Sequence, residues 1–221
     1  MHIGIIPDGN RRWAKKNNLP ILYGYKKGAK KVEYTIEWCY ELNIDKLTIY
    51  ILSEDNFKKR NKREINILLN LLDLYIKKIY RKIIKKDIEI KFNFFGDFND
   101  FPRKLVNKFN DIMEKTKENK KMDVNLLINY SSTHDIVQSF KKIIENKEEI
   151  KIENIIKNLL IKDPIDLIIR TGGYSRLSGF PSLQSSYSEI YVLNKFWPDF
   201  KKEDLINAIN WFKSIQRNFG K

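Results

Sequence analysis

The chain has 221 residues, 42% hydrophobic and 13% aromatic, enough for one filled core and too apolar for a disordered segment. Its formal net charge of +14 admits an acidic partner, either nucleic acid, an anionic membrane surface or a phosphorylated small molecule, although lysine spread along the whole chain gives the same charge without one. A single cysteine, Cys39, excludes an internal disulfide and a thiolate metal cluster and fits a reducing cytoplasm. There is no signal-peptide pattern and no apolar run of the roughly 18 residues that span a bilayer, so any membrane contact is expected at its surface.

In chain order, a strand over 2–6 runs into Asp8-Gly9-Asn10-Arg11-Arg12-Trp13, a turn followed by a helix from Arg11 onward. Amide N–H groups at such a helix start suit a phosphate, and Asp8 stands where a magnesium ion can bridge it to phosphate oxygens. An Asp-Gly turn with solvated arginines has the same sequence. A helix over 25–42 and a strand over 46–52 follow, the strand ending in Ser53-Glu54-Asp55-Asn56. The next helix, 64–85, is apolar almost all round from Ile65 to Tyr75, so it is buried on most faces, against protein or against an apolar ligand. Its basic run, 77–86, reads as a solvated helix end.

Strands over 89–95, 123–129, 166–170 and 189–193 then alternate with helices over 103–118, 135–146, 153–161 and 203–216. Six short apolar strands with helical crossovers predict a single α/β domain over 1–221, a mainly parallel six-stranded sheet flanked by helices. Ligands of open parallel sheets bind beyond the carboxyl ends of the strands, which is where this chain carries its unusual polar sequences. One of these is Arg170-Thr171-Gly172-Gly173-Tyr174-Ser175-Arg176-Leu177-Ser178, with two guanidiniums and the hydroxyls of Thr171, Ser175 and Ser178 around a glycine pair. Arginine forks and exposed backbone N–H groups make it a candidate diphosphate clamp. It lacks the Gly-Lys-Ser/Thr step of a P-loop, and no dinucleotide fingerprint follows the first strand. Glu189 is either an exposed strand residue or a second magnesium ligand opposite Asp8. Neither His2 nor His134 has zinc-site spacing.

With these residues in place, the chain resembles the cis-prenyltransferases, the undecaprenyl and dehydrodolichyl diphosphate synthase family. The resemblance runs nearly end to end, through Asp8 to Trp13, Tyr23-Gly24-Tyr25-Lys26-Lys27-Gly28, Ser53 to Phe57, Asp166 to Gly173 and Tyr187 to Phe200, in family order and spacing. It implies a parallel sheet enclosing a hydrophobic tunnel, a homodimer, and magnesium-assisted joining of an allylic diphosphate to isopentenyl diphosphate. By that likeness Asp8 binds magnesium and diphosphate, and Gly9, Asn10, Arg11, Arg12 and Trp13 form the allylic diphosphate loop. Ser53 and Asn56 lie in a loop that places the two substrates, Arg170, Arg176 and Ser178 clamp isopentenyl diphosphate, and Glu189 is the second metal ligand.

The departures are local. A family histidine is Tyr25 here, a family arginine is Ile21, and Arg60 or Lys59 stands in for an arginine after Phe57. Tyr174 replaces a glutamate after Thr-Gly-Gly, and the terminal Arg-Arg-Phe-Gly appears as Arg217-Asn218-Phe219-Gly220. Ile51 occupies a position that is often small at the tunnel floor, which predicts a short or medium product. Three alternatives stay open: irregular condensation of two allylic diphosphates, prompted by Ile21 and Tyr25; a non-catalytic partner subunit; and nucleic-acid binding, which the resemblance makes unnecessary.

Overall fold

In the computed structural model, which describes residues 1–85 and 88–217, six strands form one sheet in the order β3-β4-β2-β1-β5-β6. They are β1 (His2–Ile6), β2 (Lys46–Ser53), β3 (Ile90–Phe95), β4 (Met122–Tyr130), β5 (Leu167–Thr171) and β6 (Glu189–Leu193). Every pairing is parallel, because each connection crosses over through a helix or a long loop. The predicted strands thus all appear, within three residues of their expected ends.

The helices are α1 (Asn10–Lys16), α2 (Ile21–Glu41), α3 (Glu54–Lys59), α4 (Lys62–Lys85), α5 (Arg103–Thr116), α6 (Ser132–Glu145), α7 (Ile152–Asn158) and α8 (Lys202–Ser214). Helix α2 starts four residues earlier than its apolar pattern suggests. Pro20 caps it with φ −55°, the angle proline imposes, so the helix begins directly after the proline. Helix α3 lies in a stretch expected to be a loop. The Ser53 Oγ accepts from the Asn56 N–H at 3.1 Å, and Glu54 and Asp55 fill the first turn, which is enough to start a short helix.

The central strands are buried on both faces, as a sheet covered by helices requires. Ile3, Ile5, Leu47, Ile49, Leu167 and Ile169 pack with α2, α4, α5 and α8 on one side. Residues of opposite parity, Ile6, Leu127 and Ile168, meet Tyr50, Tyr130 and Phe180 on the other. The basic stretch of α4 is more than a solvated end: Lys78 lies 2.9 Å and Lys82 3.4 Å from the carboxylate of Glu33, which is buried on α2.

One irregularity shapes the site. Tyr50 pairs with Leu127 and Leu52 with Ile128, leaving Ile51 as an extra residue on β2; the next step, to Ser53 opposite Tyr130, skips Asn129 and restores the register. Such bulges re-aim side chains at the ends of strands. Tyr50, Ile51 and Leu52 consequently all border the same cavity.

A polar chain crosses the apolar sheet. The His2 Nδ1–H donates to the Pro164 carbonyl at 2.9 Å, and its Nε2 accepts from the Thr48 hydroxyl at 2.7 Å. Asn125 Nδ2 donates to Thr48 at 3.0 Å, and Asn93 Nδ2 to Asn125 Oδ1 at 2.9 Å, so four neighbouring strands are linked. This arrangement uses the neutral imidazole, and burial lowers the His2 pKa from 6.5 to about 4. The unfolded chain then binds the proton first as pH falls. The contribution is complete above pH 6.5 and is lost between 6.5 and about 4, on the order of 3 kcal/mol in all. Urea denaturation at pH 7 and pH 4.5 checks this: wild type should lose more stability on acidification than His2→Asn, and equal losses would refute it.

Candidate active site

Asp8 follows β1 directly and is held from both sides. Its N–H donates to the Thr171 Oγ1 at 2.9 Å, and its carbonyl accepts from the same hydroxyl at 2.8 Å and from the Trp197 N–H at 3.0 Å. The backbone of β1 is thereby locked to the end of β5. The carboxylate is divided between two arginines: Arg12 donates to Oδ1 at 3.0 Å and Arg170 to Oδ2 at 3.0 Å.

Arg170 is the more deeply placed, with its side chain 4% exposed. One terminal nitrogen reaches the Ser178 Oγ at 2.9 Å and the Arg176 carbonyl, while its Nε is buried without a partner. Arg12 also donates to the Gly172 carbonyl at 2.9 Å. Gly172 has φ +89°, and a Cβ there would stand 2.4 Å from the Arg12 guanidinium. Glycine is therefore required by both the turn and the close approach. Gly9 is required for the same two reasons, with φ +110° and Phe196 lying 2.7 Å from where its Cβ would be.

Asn10 and Arg11 open α1 and border the cavity. The Asn10 Oδ1 is buried without a partner and lies against Gly28, where a Cβ would approach to 2.3 Å. Tyr25 donates to Glu64, Arg60 Nε lies 3.5 Å from Glu64, and the Arg60 guanidinium sits 5.5 Å from the Tyr25 ring centre. Burial first, and the bond to Glu64 second, raise the Tyr25 pKa, so it stays a neutral donor. Ser53 borders the cavity while its hydroxyl caps α3, and Asn56 faces the same space. Arg176 is exposed, with its guanidinium 4.0 Å from the centre of the Tyr174 ring.

Of these groups Asp8, Asn10, Arg11, Arg12, Tyr25, Ser53, Asn56, Arg60, Arg170 and Ser178 line part of a cavity of about 580 Å³ whose remaining wall is hydrocarbon, while Arg176 stands outside it. Its walls are Val32 of α2, Leu68, Leu72 and Ile76 of α4, Ile51 of β2 and Leu126 of β4. The all-round apolar character of α4 is explained by this double duty, since Ile65 and Leu69 also fill the core. A polar rim over an apolar chamber suits an amphipathic ligand with an anionic head.

Three expected residues lie elsewhere: Arg176, exposed on the loop after β5, Trp13 and Glu189. Trp13 is buried, its indole N–H donating to Asp199 at 2.7 Å, and does not border the cavity, because the first turn of α1 directs it inward against the 197–200 segment. Glu189 starts β6 opposite Leu167, whereas Asp8 adjoins Thr171 at the other end of β5. Four residues of strand separate those levels, about 13 Å, so within one chain Glu189 does not face Asp8 across a shared ion. Among the described residues no cluster of three or more His, Cys, Asp or Glu side chains is placed to hold a metal. Ile21 is 41% exposed at the start of α2 and outside the cavity lining. Asn218 to Gly220 of the terminal motif lie outside the described residues.

Several participants were not singled out from the sequence: Thr171, Glu64, Tyr50 and Phe196. Tyr50 donates to the Tyr130 carbonyl at 2.9 Å and to the Ser178 carbonyl at 3.3 Å, tying the clamp loop to the sheet. A threonine closing a buried strand beside Arg170 was the one readable signal among them.

Comparison with known proteins places this geometry. The family model Prenyltransf, described as "Putative undecaprenyl diphosphate synthase", matches residues 6–220. An isoprenyl transferase of Rickettsia bellii is 38% identical, over 100% of this chain and 97% of that protein. The tritrans,polycis-undecaprenyl-diphosphate synthase (geranylgeranyl-diphosphate specific) of Sulfurisphaera tokodaii is 37% identical, over 99% and 87%. Among solved structures, an undecaprenyl diphosphate synthase described as probable, from Campylobacter jejuni, superposes with TM-score 0.84 at 32% identity, over 100% of this chain and 98% of the other. Lavandulyl diphosphate synthase from Lavandula x intermedia, in complex with dimethylallyl diphosphate, superposes with TM-score 0.94 at 28% identity over the same shares. The chain belongs to the undecaprenyl diphosphate synthase family and is a prenyl transferase.

Proposed function

We propose that the chain joins an allylic diphosphate to isopentenyl diphosphate at the rim built on Asp8, and that the growing chain enters the cavity between α2 and α4. The observation that carries this reading is the junction itself: four arginines, Arg11, Arg12, Arg60 and Arg170, share one cavity of about 580 Å³ with a hydrocarbon wall. Two diphosphates bring more negative charge than any neutral rim can hold, and guanidinium forks match phosphate oxygens in pairs.

In this reading Arg170 and Ser178, with Arg176 above them, hold the diphosphate of the isopentenyl substrate. Asn10, Arg11 and Arg12 hold that of the allylic one. A bond forms between the allylic C1 and C4 of isopentenyl diphosphate, the C1–O bond breaks with its electrons on the departing diphosphate, and a proton leaves C2. The work of the protein is to hold two like-charged groups close together and to stabilise the charge that builds up on the leaving one.

Magnesium fits the donor set. It favours one or two carboxylates completed by phosphate oxygens and water, and Asp8 is a half-exposed carboxylate at the anion rim. Bound there, the ion would withdraw charge from the leaving diphosphate. Asp8 would then exchange its arginine partners for the ion, freeing the Arg12 and Arg170 N–H groups for phosphate.

A second reading, condensation of two allylic diphosphates, is favoured by the TM-score of 0.94 to lavandulyl diphosphate synthase and by the tie between Tyr25 and Glu64 at the allylic side. Mass spectrometry separates the two. Purified protein with magnesium, allylic diphosphates and carbon-labelled isopentenyl diphosphate should give a product carrying the label. Product built from unlabelled allylic units alone would replace the first reading with the second.

The bulged Ile51 projects at the cavity wall, and removing its side chain lengthens the space available to product. Ile51→Ala should shift the product distribution toward longer chains by at least one five-carbon unit. An unchanged distribution, read by chromatography of the dephosphorylated products, would remove Ile51 from the control of length.

A further inference from the structure

The loop after β5 takes part in a connected series of rings and guanidiniums that stands beside the hydrogen bonds of the site. The Arg12 guanidinium lies 4.7 Å from the Tyr174 ring centre and 5.2 Å from that of Phe196. On the same Tyr174 ring the Arg176 guanidinium lies at 4.0 Å, and that of Arg170 at 6.0 Å. Phe196, Arg12, Tyr174 and Arg176 thus form an alternating series of aromatic and cationic groups.

Each member has a reason to stand where it does. Phe196 is pressed against Gly9, so its end of the series is tied to the backbone that presents Asp8. Gly172 and Gly173, with φ +89° and +79°, turn the chain so that Tyr174 comes back over Arg12. Arg176 is the informative member. It is exposed, and among the described residues its guanidinium has no hydrogen-bond or ion-pair acceptor, so the group that faces it is the Tyr174 ring. A free arginine on an exposed loop ordinarily samples many rotamers.

Stacking and hydrogen bonding use different parts of a guanidinium. The ring attracts the cation through its face, while the five N–H donors point outward in the guanidinium plane. A guanidinium held by an aromatic ring is therefore oriented with its donors still available to phosphate, whereas one held by a carboxylate spends donors on it.

The geometry points to Tyr174 as a positioning residue that holds Arg12 and Arg176 by their faces, joining the two diphosphate subsites into one preorganised unit. This rests on the two-diphosphate reading above for its biological meaning, while the claim about binding is independent of turnover. The ligand chemistry it addresses is a diphosphate group, whether free or carried on an isoprenoid.

The test uses the purified full chain and inorganic diphosphate as the probe, with calorimetric titration of wild type, Tyr174→Phe, Tyr174→Leu and Tyr174→Ala. Two stacked cations lost together predict roughly tenfold weaker diphosphate binding in the Ala and Leu variants, with Phe within about twofold of wild type. In steady-state assays the Ala variant should raise KM for both diphosphate substrates by a similar factor, with kcat falling less than KM rises. Wild-type affinity in Ala or Leu would overturn the proposal, as would a Phe variant as weak as Ala, since the hydroxyl and not the ring would then matter. Leu retains the bulk of the side chain, so a loop that collapses only in Ala does not obscure the result. Wild-type protein that binds diphosphate but makes no labelled product would remove the transfer reading and leave the stacking claim standing.

Discussion

The bridge that Asp8 makes between Arg12 and Arg170 is the contact on which the site depends. The two arginines are separated by most of the chain, one four residues and the other 162 residues from Asp8, and each takes one carboxylate oxygen at 3.0 Å. That geometry exists only because β1 and β5 lie side by side in parallel and end at the same level, with Thr171 bonded to both backbone groups of Asp8. The sheet order is therefore the first requirement of the chemistry. Moving β5 away from β1 would separate the two arginine-bearing segments altogether.

The same bridge explains how so many cations are stored without ligand. Arg170 is almost fully buried, and a buried guanidinium is costly unless it is paired and hydrogen-bonded. Asp8, Ser178 and a backbone carbonyl meet that need while leaving its Nε unpartnered. Elsewhere on the cavity wall Arg60 forms an ion pair with Glu64 at 3.5 Å, with Tyr25 donating to the same carboxylate. Each half of the rim is thus an arginine site kept assembled by a carboxylate, and the hydrocarbon chamber begins directly beneath.

Much of this was legible in the sequence because parallel strands write themselves as short apolar runs, and because loops at their carboxyl ends must carry the chemistry. Asp8-Gly9-Asn10-Arg11-Arg12 and the Arg170 to Ser178 segment stand out as candidate anion sites from residue type and position, and the structure joins them through Asp8. Depth along a strand was not legible in the same way. Glu189 belongs to the correct strand but to its opposite end, and only the pairing with Leu167 reveals that. Trp13 adjoins the anion loop in sequence, yet the first turn of α1 carries it to Asp199. Helix α3 was hidden because six residues offer too little apolar periodicity, and the capping role of Ser53 becomes visible only with the helix in place. Glu64 and Phe196 could not be found from sequence, since each acts through a neighbour distant in the chain.

The most direct test of the account is magnesium-dependent prenyl transfer by Asp8→Ala compared with wild type, with thermal melting measured on both. Asp8 lies at a partly exposed rim and not in the core, so the variant should fold and melt as a single cooperative unit while its turnover falls by at least about a hundredfold, the scale of losing a group that acts on transition-state charge. A folded Asp8→Ala protein that turns over at the wild-type rate would contradict the account.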